Sequence, residues 1–247
     1  GCVGDDSFAE ELVQNLKAEG IDTRHVTRKP NTTSGVAVVM VESSGENAIL
    51  VVPGANALVG LTELEQARQV ICDSDVLLMQ LEVPVETVIA AAAIAREAGV
   101  PVILDPAPAP AGFPPELLNV DLICPNQTEA AALLGKPLSS LEDVIAAMPT
   151  LAEQGPRRIL VTMADQGAVL FDGESVQIIP PFTIQAIDST AAGDAFAAGL
   201  AVKLAEQATL WEAALFASAA GAIAASGAGA QTAMPNREQI ETLITKQ

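Results

Sequence analysis

The sequence predicts an α/β fold. A mostly parallel central sheet carries helices on both faces, a three-layer α/β/α sandwich, with a small β lid. Three features predict it. From Thr62 onward, helical segments alternate with short continuous apolar runs, the pattern of parallel strands buried on both faces. Before that, residues 33–56 hold two β-prone arms around a polar turn, a hairpin that stands apart from the alternation. Near the end, Asp188–Phe196 places a run of small residues between a β-prone stretch, Phe182–Ile187, and a helical one, Ala195–Leu204.

The elements follow in order. Gly1–Asp6 reads as the end of a strand and the loop after it. A domain rarely begins there, so an upstream segment is expected. Phe8–Ala18 carries Phe8, Leu12 and Leu16 at helical spacing, and Gly20 stops it. Thr33–Val41 alternates and is rich in β-branched residues, Glu42–Asn47 is a turn, and Ala48–Val52 returns as the second arm. Helix Thr62–Val70 then precedes strand Val76–Gln80, and helix Val85–Ala98 precedes strand Val100–Leu104. Strand Leu122–Cys124, helices Thr128–Leu134 and Leu141–Gln154, and strand Arg158–Thr162 follow. Ala168–Phe171 and Val176–Ile179 flank the turn Asp172-Gly173-Glu174-Ser175. Helices Ala195–Leu204, Leu210–Ala225 and Asn236–Ile244 close the chain. With no repeat or linker, residues 1–247 read as one domain, 33–56 contributing the lid.

The chain has 247 residues, half of them hydrophobic, with 31 acidic and 12 basic side chains and a formal net charge of −19. Such a surface repels nucleic acid and anionic membranes and favours small-molecule work. A bound polyphosphate would then lean on backbone N–H groups and a cation more than on Lys and Arg. Cys2, Cys72 and Cys124 form no CxxC pair, and His25 is the only histidine, so buried free thiols in a reducing cytoplasm are expected. Ala213–Ala230 is apolar but rich in Gly, Ala and Ser, and reads as an internal helix ending in a loop. GxxxxGK[ST] and GxGxxG are both absent, which disfavours a P-loop ATPase and a standard dinucleotide dehydrogenase. No Ser/His/Asp set is available either, because the only histidine lies in an early polar loop.

Small residues at Ala191, Ala192 and Gly193 let the backbone turn sharply and approach a ligand. The N–H groups that open the next helix suit an anion. Asp194 sits at the rim of that place, either as an acidic helix starter or as a base beside a phosphate cradle. Ligands in open α/β sheets collect at the carboxyl ends of the strands. That rule brings together Glu82, Asp105, Asn126, the loop after Thr162, and Asp188.

The run Asp188-Ser189-Thr190-Ala191-Ala192-Gly193-Asp194 resembles the Asp-Thr-x-Ala-Gly-Asp signature of the ribokinase-like sugar kinases, the PfkB family. The resemblance implies a ribokinase-like fold and phosphoryl transfer from ATP to a sugar hydroxyl. It makes Asp194 the general base in contact with the sugar. It makes the N–H groups of Ala192, Gly193 and Asp194 the charge-stabilising donors. Asn126-Gln127-Thr128-Glu129 matches the family's Asn-x-x-Glu. There the resemblance implies that Asn126 and Glu129 organise Mg²⁺ and phosphate, while the residues alone also suit a helix cap. Thr162-Met163-Ala164-Asp165-Gln166-Gly167 is similar to a Thr-x-Gly-x-x-Gly nucleotide loop, with Ala164 where Gly is usual. If that position needs positive φ, Ala costs about 1 kcal/mol or more. A plain hairpin entry is the other reading.

Four further assignments come by resemblance. Glu82 contacts sugar in the ribose branch, Ser218 falls where adenine is met, and Asp188 with Thr190 matches the ligands of a K⁺ ion. The loop from Ala224 through Gly227 and Gly229 to Ala233 completes that cation site. Glu82 can also be a solvated loop carboxylate and Ser218 a packing residue. The family's leading strand, its Asn-x-Asp and its Gly-Gly-Lys-Gly-Ala-Asn motif are not in this sequence. The implied reaction is ATP-dependent phosphorylation of the ribose 5-hydroxyl. Related kinases for fructose, a nucleoside or a keto-deoxy sugar acid are alternatives, as is a non-catalytic nucleotide-binding fragment. A homodimer through the lid is implied, since exposed strand edges invite pairing.

Overall fold

The computed structural model describes residues 1–41, 47–110 and 112–246. Two compact units divide the chain: Gly1–Asp73 with Leu81–Ile94, and Ser74–Gln80 with Ala95–Gln247.

In the first unit, β1 (Cys2–Val3) pairs in parallel with β2 (Thr27–Arg28), and α1 (Ser7–Ala18) lies between them in sequence. Sequence reading missed β2, which is too short to show a period. Phe8 and Leu12 of α1 remain exposed. β3 (Val36–Val41) and β4 (Asn47–Val52) form a two-stranded antiparallel sheet with Val36 opposite Val52. The expected strand start at Thr33 moves to Val36 because the preceding backbone is otherwise engaged. The Thr33 carbonyl accepts from Ala55 N–H at 2.9 Å, and the Ser34 N–H donates to Asp6 Oδ2 at 2.6 Å. Residues 42–46 of the expected turn lie outside the described residues. Helix α2 spans Leu61–Cys72. Helix α3, Val85–Glu97, begins in the first unit and ends in the second.

The second unit holds a six-stranded sheet in the order β10-β9-β8-β7-β6-β5. β5 (Leu77–Met79), β6 (Val102–Leu104), β7 (Leu122–Ile123) and β8 (Arg158–Thr162) run parallel. β9 (Ala168–Phe171) and β10 (Val176–Ile179) add an antiparallel hairpin. Its helices are α4 (Gln127–Leu134), α5 (Leu141–Ala152), α6 (Ala192–Ala205), α7 (Leu210–Ala225) and α8 (Arg237–Thr245).

Strand alternation gives this sheet two buried faces. Ile103, Leu122, Leu160 and Leu170 pack with Phe196 and Leu200 of α6 and Ala217 of α7. Their neighbours Val102, Leu104, Ile123, Ile159, Val161 and Val169 are buried as well and point the opposite way, toward the layer of α5, which packs on β8 and β9. The predicted three-layer architecture is therefore present. α6 and α7 approach closely through small residues: a Cβ added at Gly199 would lie 3.2 Å from Ala217 Cα.

The β-prone stretch Phe182–Ile187 forms no strand, and the backbone donors at its end are taken by α7. The N–H groups of Ile187 and Asp188 both donate to the Ala225 carbonyl, at 2.8 and 3.2 Å, and Phe182 is buried with Ala195, Phe216 and Ile240. Cys2 and Cys124 are buried free thiols, as expected, but Cys72 is partly exposed. Among the described residues, no helix is long and apolar enough to cross a membrane.

Candidate active site

The four parallel strands end on one edge of the sheet, and the residues there are Gln80, Asp105, Asn126 and Thr162. The edge is tightly registered. Asp105 N–H donates to the Met79 carbonyl at 2.9 Å, Thr162 N–H donates to the Pro125 carbonyl at 3.0 Å, and Asn126 bridges to Thr162. Leu78, Met79, Gln80, Asp105, Asp194 and Ala197 line a cleft of about 200 Å³. Asp105 is 7% exposed, so a carboxylate is buried in its wall.

The start of α6 differs from the other helices around it. At α4, α5, α7 and α8 a cap side chain (Asn126, Ser140, Thr209, Asn236) accepts a backbone N–H of the first turn. At α6 the cap position is Ala191, in the left-handed region at φ 58°, with no side chain to accept anything. Ala192 N–H donates to the Ser189 carbonyl at 3.2 Å. That bond removes Ala192 from the expected trio of donors. The N–H groups of Gly193 and Asp194 have no acceptor among the described residues. Two donors thus point out of a helix N-terminus, where the helix dipole also favours an anion. No heavy atom lies within 4 Å of where a Cβ on Gly193 would stand.

Asp194 sits in this first turn with an exposed side chain. It is not turned into the core and caps no backbone group. Its Oδ1 instead accepts from Gln80 Nε2 at 2.9 Å. Sequence reasoning missed Gln80. The available signal was its position, the first residue after β5 at the strand's carboxyl end. Glu82, expected beside Asp194, is exposed and belongs to the first unit.

Asp188 ties two loops together. Its Oδ1 accepts from Thr190 N–H at 2.9 Å and its Oδ2 from Gly229 N–H at 3.0 Å. The Thr190 hydroxyl, then the N–H groups of Thr190 and Gly229, hold the carboxyl below the usual carboxylate range. The Ala224 carbonyl accepts from Gly227 N–H at 3.1 Å. A Cβ on Gly227 would come within 2.8 Å of Ala233 Cβ, so this turn is closed by small residues.

Asn126 and Glu129 make a reciprocal cap. Asn126 Oδ1 accepts from Glu129 N–H at 2.9 Å, and Glu129 Oε2 accepts from Asn126 N–H at 2.8 Å. Partial burial pushes the Glu129 carboxyl up, against the pull of hydrogen bonds from the Asn126 backbone and side chain. The helix-cap reading of this pair is what its side chains do.

In the loop after β8, Ala164 adopts φ 49°, the left-handed region anticipated for that position. Gly167 has a fold reason of its own: at φ 87°, a Cβ there would stand 2.2 Å from the Ile179 carbonyl oxygen. Ala164→Gly is expected to raise stability by about 1 kcal/mol, read as a higher urea midpoint. An unchanged or lower midpoint would contradict the strain.

Residues 1–237 match the profile of pfkB family carbohydrate kinases. The chain belongs to this family. It is 37% identical over 239 residues to the ribokinase of Haemophilus influenzae, covering 96% of this chain and 78% of that protein. It is 33% identical over 248 residues to the deoxyribokinase of Salmonella typhi, covering 98% and 80%. The structure of Arabidopsis thaliana ribokinase complexed with ribose and ATP superposes with a TM-score of 0.89 at 32% identity, over 99% of this chain and 80% of that one. As a carbohydrate kinase the chain is a phosphotransferase with an alcohol acceptor.

The residues present suit the groups such a kinase uses. Two unpaired N–H donors with open space before Gly193 suit a phosphoryl group. Ser218 Oγ on α7 is buried without a hydrogen-bond partner, a polar atom left for a ligand or for its own helix carbonyl. The half-buried Glu129 carboxylate suits a hydrated hard cation. The Asp188 carboxylate accepts from the Thr190 hydroxyl and from the N–H groups of Thr190 and Gly229, and its negative charge beside backbone carbonyls suits a monovalent cation.

Proposed function

We propose that this protein transfers the γ-phosphoryl group of ATP in line to the 5-hydroxyl of D-ribose, with Asp194 as general base. The observation that carries the reading is the Asp194 carboxylate in the cleft wall, beside the unpaired N–H groups of Gly193 and Asp194. A sugar hydroxyl is a weak nucleophile. A carboxylate in hydrogen-bond reach takes its proton as the bond to phosphorus forms. The two N–H donors stabilise charge on the moving phosphoryl group. No covalent enzyme intermediate is needed.

The remaining roles are part of the same proposal. Glu82 binds the sugar. Thr162, Gly167 and Ser218 border the nucleotide, with Gly167 chiefly shaping its loop. Asn126 and Glu129 hold Mg²⁺, largely through water. When bound, the ion neutralises phosphate charge that the chain's few Lys and Arg cannot. Asp188 and Thr190, with backbone carbonyls among Ala224, Gly227, Gly229 and Ala233, hold K⁺ and steady the loop before Asp194. Turnover is expected to be higher in potassium than in tetramethylammonium, and equal rates would remove the site. Residues 33–56 serve as the lid of one catalytic domain, and a homodimer forms through it. Exposed Val36, Val38, Leu50, Val51 and Val52 support this pairing. A reducing cytoplasm suits the three free thiols.

The test is ADP release over a panel of ribose, deoxyribose, fructose, a nucleoside and a keto-deoxy sugar acid. Ribose is expected to give the highest kcat/KM. A different best sugar would move the protein to another branch. Calorimetric ATP binding with no sugar-dependent ADP release would make it a nucleotide-binding module instead.

A further inference from the structure

We propose that Gln80 is the positioning residue of the base: its amide holds the Asp194 carboxylate so that Oδ2 faces the acceptor hydroxyl. The inference rests on the reading of Asp194 as the base. The bond from Gln80 Nε2 to Asp194 Oδ1, at 2.9 Å, spans 114 residues of sequence and joins two residues that line the same cleft. Asp194 Oδ2 has no partner among the described residues. Gln80 stands on a fixed support. It follows β5, whose Leu78 and Met79 pair with Ile103 and Leu104, and the Met79 carbonyl accepts from Asp105 N–H at 2.9 Å.

An unheld carboxylate in the first turn of a helix has competing partners close by. Asp side chains readily bond nearby backbone N–H groups, and the free N–H groups of Gly193 and Asp194 are in the same turn. Such a bond would withdraw the base and fill the anion site together. The Gln80 amide draws Oδ1 toward β5, which keeps one oxygen for proton transfer and the donors for phosphate.

The donor's chemistry fits that task. An ionised carboxylate only accepts, so an amide N–H orients it. A Lys at 80 would hold the carboxylate by charge and weaken it as a base, and a Glu would repel it. A neutral side chain of this length orients without either effect.

The test measures kcat and KM in the full chain for Gln80→Met, Gln80→Glu, Asp194→Asn and the double variant Gln80→Met/Asp194→Asn. Gln80→Met is expected to lower kcat about 10-fold or more with KM for ATP changed less than about twofold, as loss of an orienting contact does. Gln80→Glu is expected to lower it further. On the Asp194→Asn background, Gln80→Met is expected to change the residual rate by less than about twofold, because the two act as one unit. Parental kcat in Gln80→Met beside an inactive Asp194→Asn overturns the positioning role alone. A full multiplicative loss in the double variant does the same, since Gln80 would then act without Asp194. Parental turnover in Asp194→Asn overturns the base reading itself. The unchanged KM for ATP separates the expected result from a collapsed site.

Discussion

Asp194→Asn is expected to fold like the parent and to lose about 10³-fold of its turnover, the usual contribution of a positioned general base. That corresponds to about 4 kcal/mol of transition-state stabilisation. The structure explains why folding should survive. The side chain is exposed and caps no N–H of α6. Its bond from Gln80 reaches Oδ1, an oxygen that Asn retains. What disappears is an acceptor for the sugar's proton. The check is kcat beside a melting curve, with ATP affinity as the control. Near-parental turnover with an unchanged melt would remove Asp194 from the chemistry.

Gly193→Ala is expected to separate fold from function further, raising stability while lowering turnover. Gly193 lies inside α6 and has none of the left-handed backbone that calls for glycine. An added Cβ would meet nothing within 4 Å. Helix propensity alone then favours Ala by up to about 1 kcal/mol, a gain of about 2–4 °C in Tm for a chain of this size. The same methyl group would stand where a phosphoryl group must approach the Gly193 and Asp194 N–H groups. Turnover should fall about 100-fold, as when one donor of an oxyanion-type site is lost. An equal or higher Tm with unchanged kcat would show that no ligand comes near this residue.

Local signals in the sequence were read correctly where a single segment decides the outcome. The alternation after Thr62 became four parallel strands with their helices. The small residues before Asp194 became an uncapped helix start with two free donors. Ala164 stood out as an unusual residue for its place, and its φ of 49° is the strain that follows. Distant partners were less legible. Phe182–Ile187 has strand composition, but the Ala225 carbonyl takes the Ile187 and Asp188 donors at its end. Gln80 gained its meaning only through a residue 114 positions away. Asn126 and Glu129 admit two uses on paper. The fold shows the reciprocal cap, while the metal role belongs to the proposed complex. Gly167 reads as a nucleotide residue, yet the Ile179 carbonyl beside it already demands a missing Cβ.

The most direct measurement is a crystal structure of the protein with ribose and a non-hydrolysable ATP analogue. The account predicts an Asp194 carboxylate oxygen about 3 Å from the 5-hydroxyl, with the terminal phosphoryl group on the Gly193 and Asp194 N–H groups. A sugar hydroxyl turned away from residue 194, or phosphates bound elsewhere than the start of α6, would contradict it.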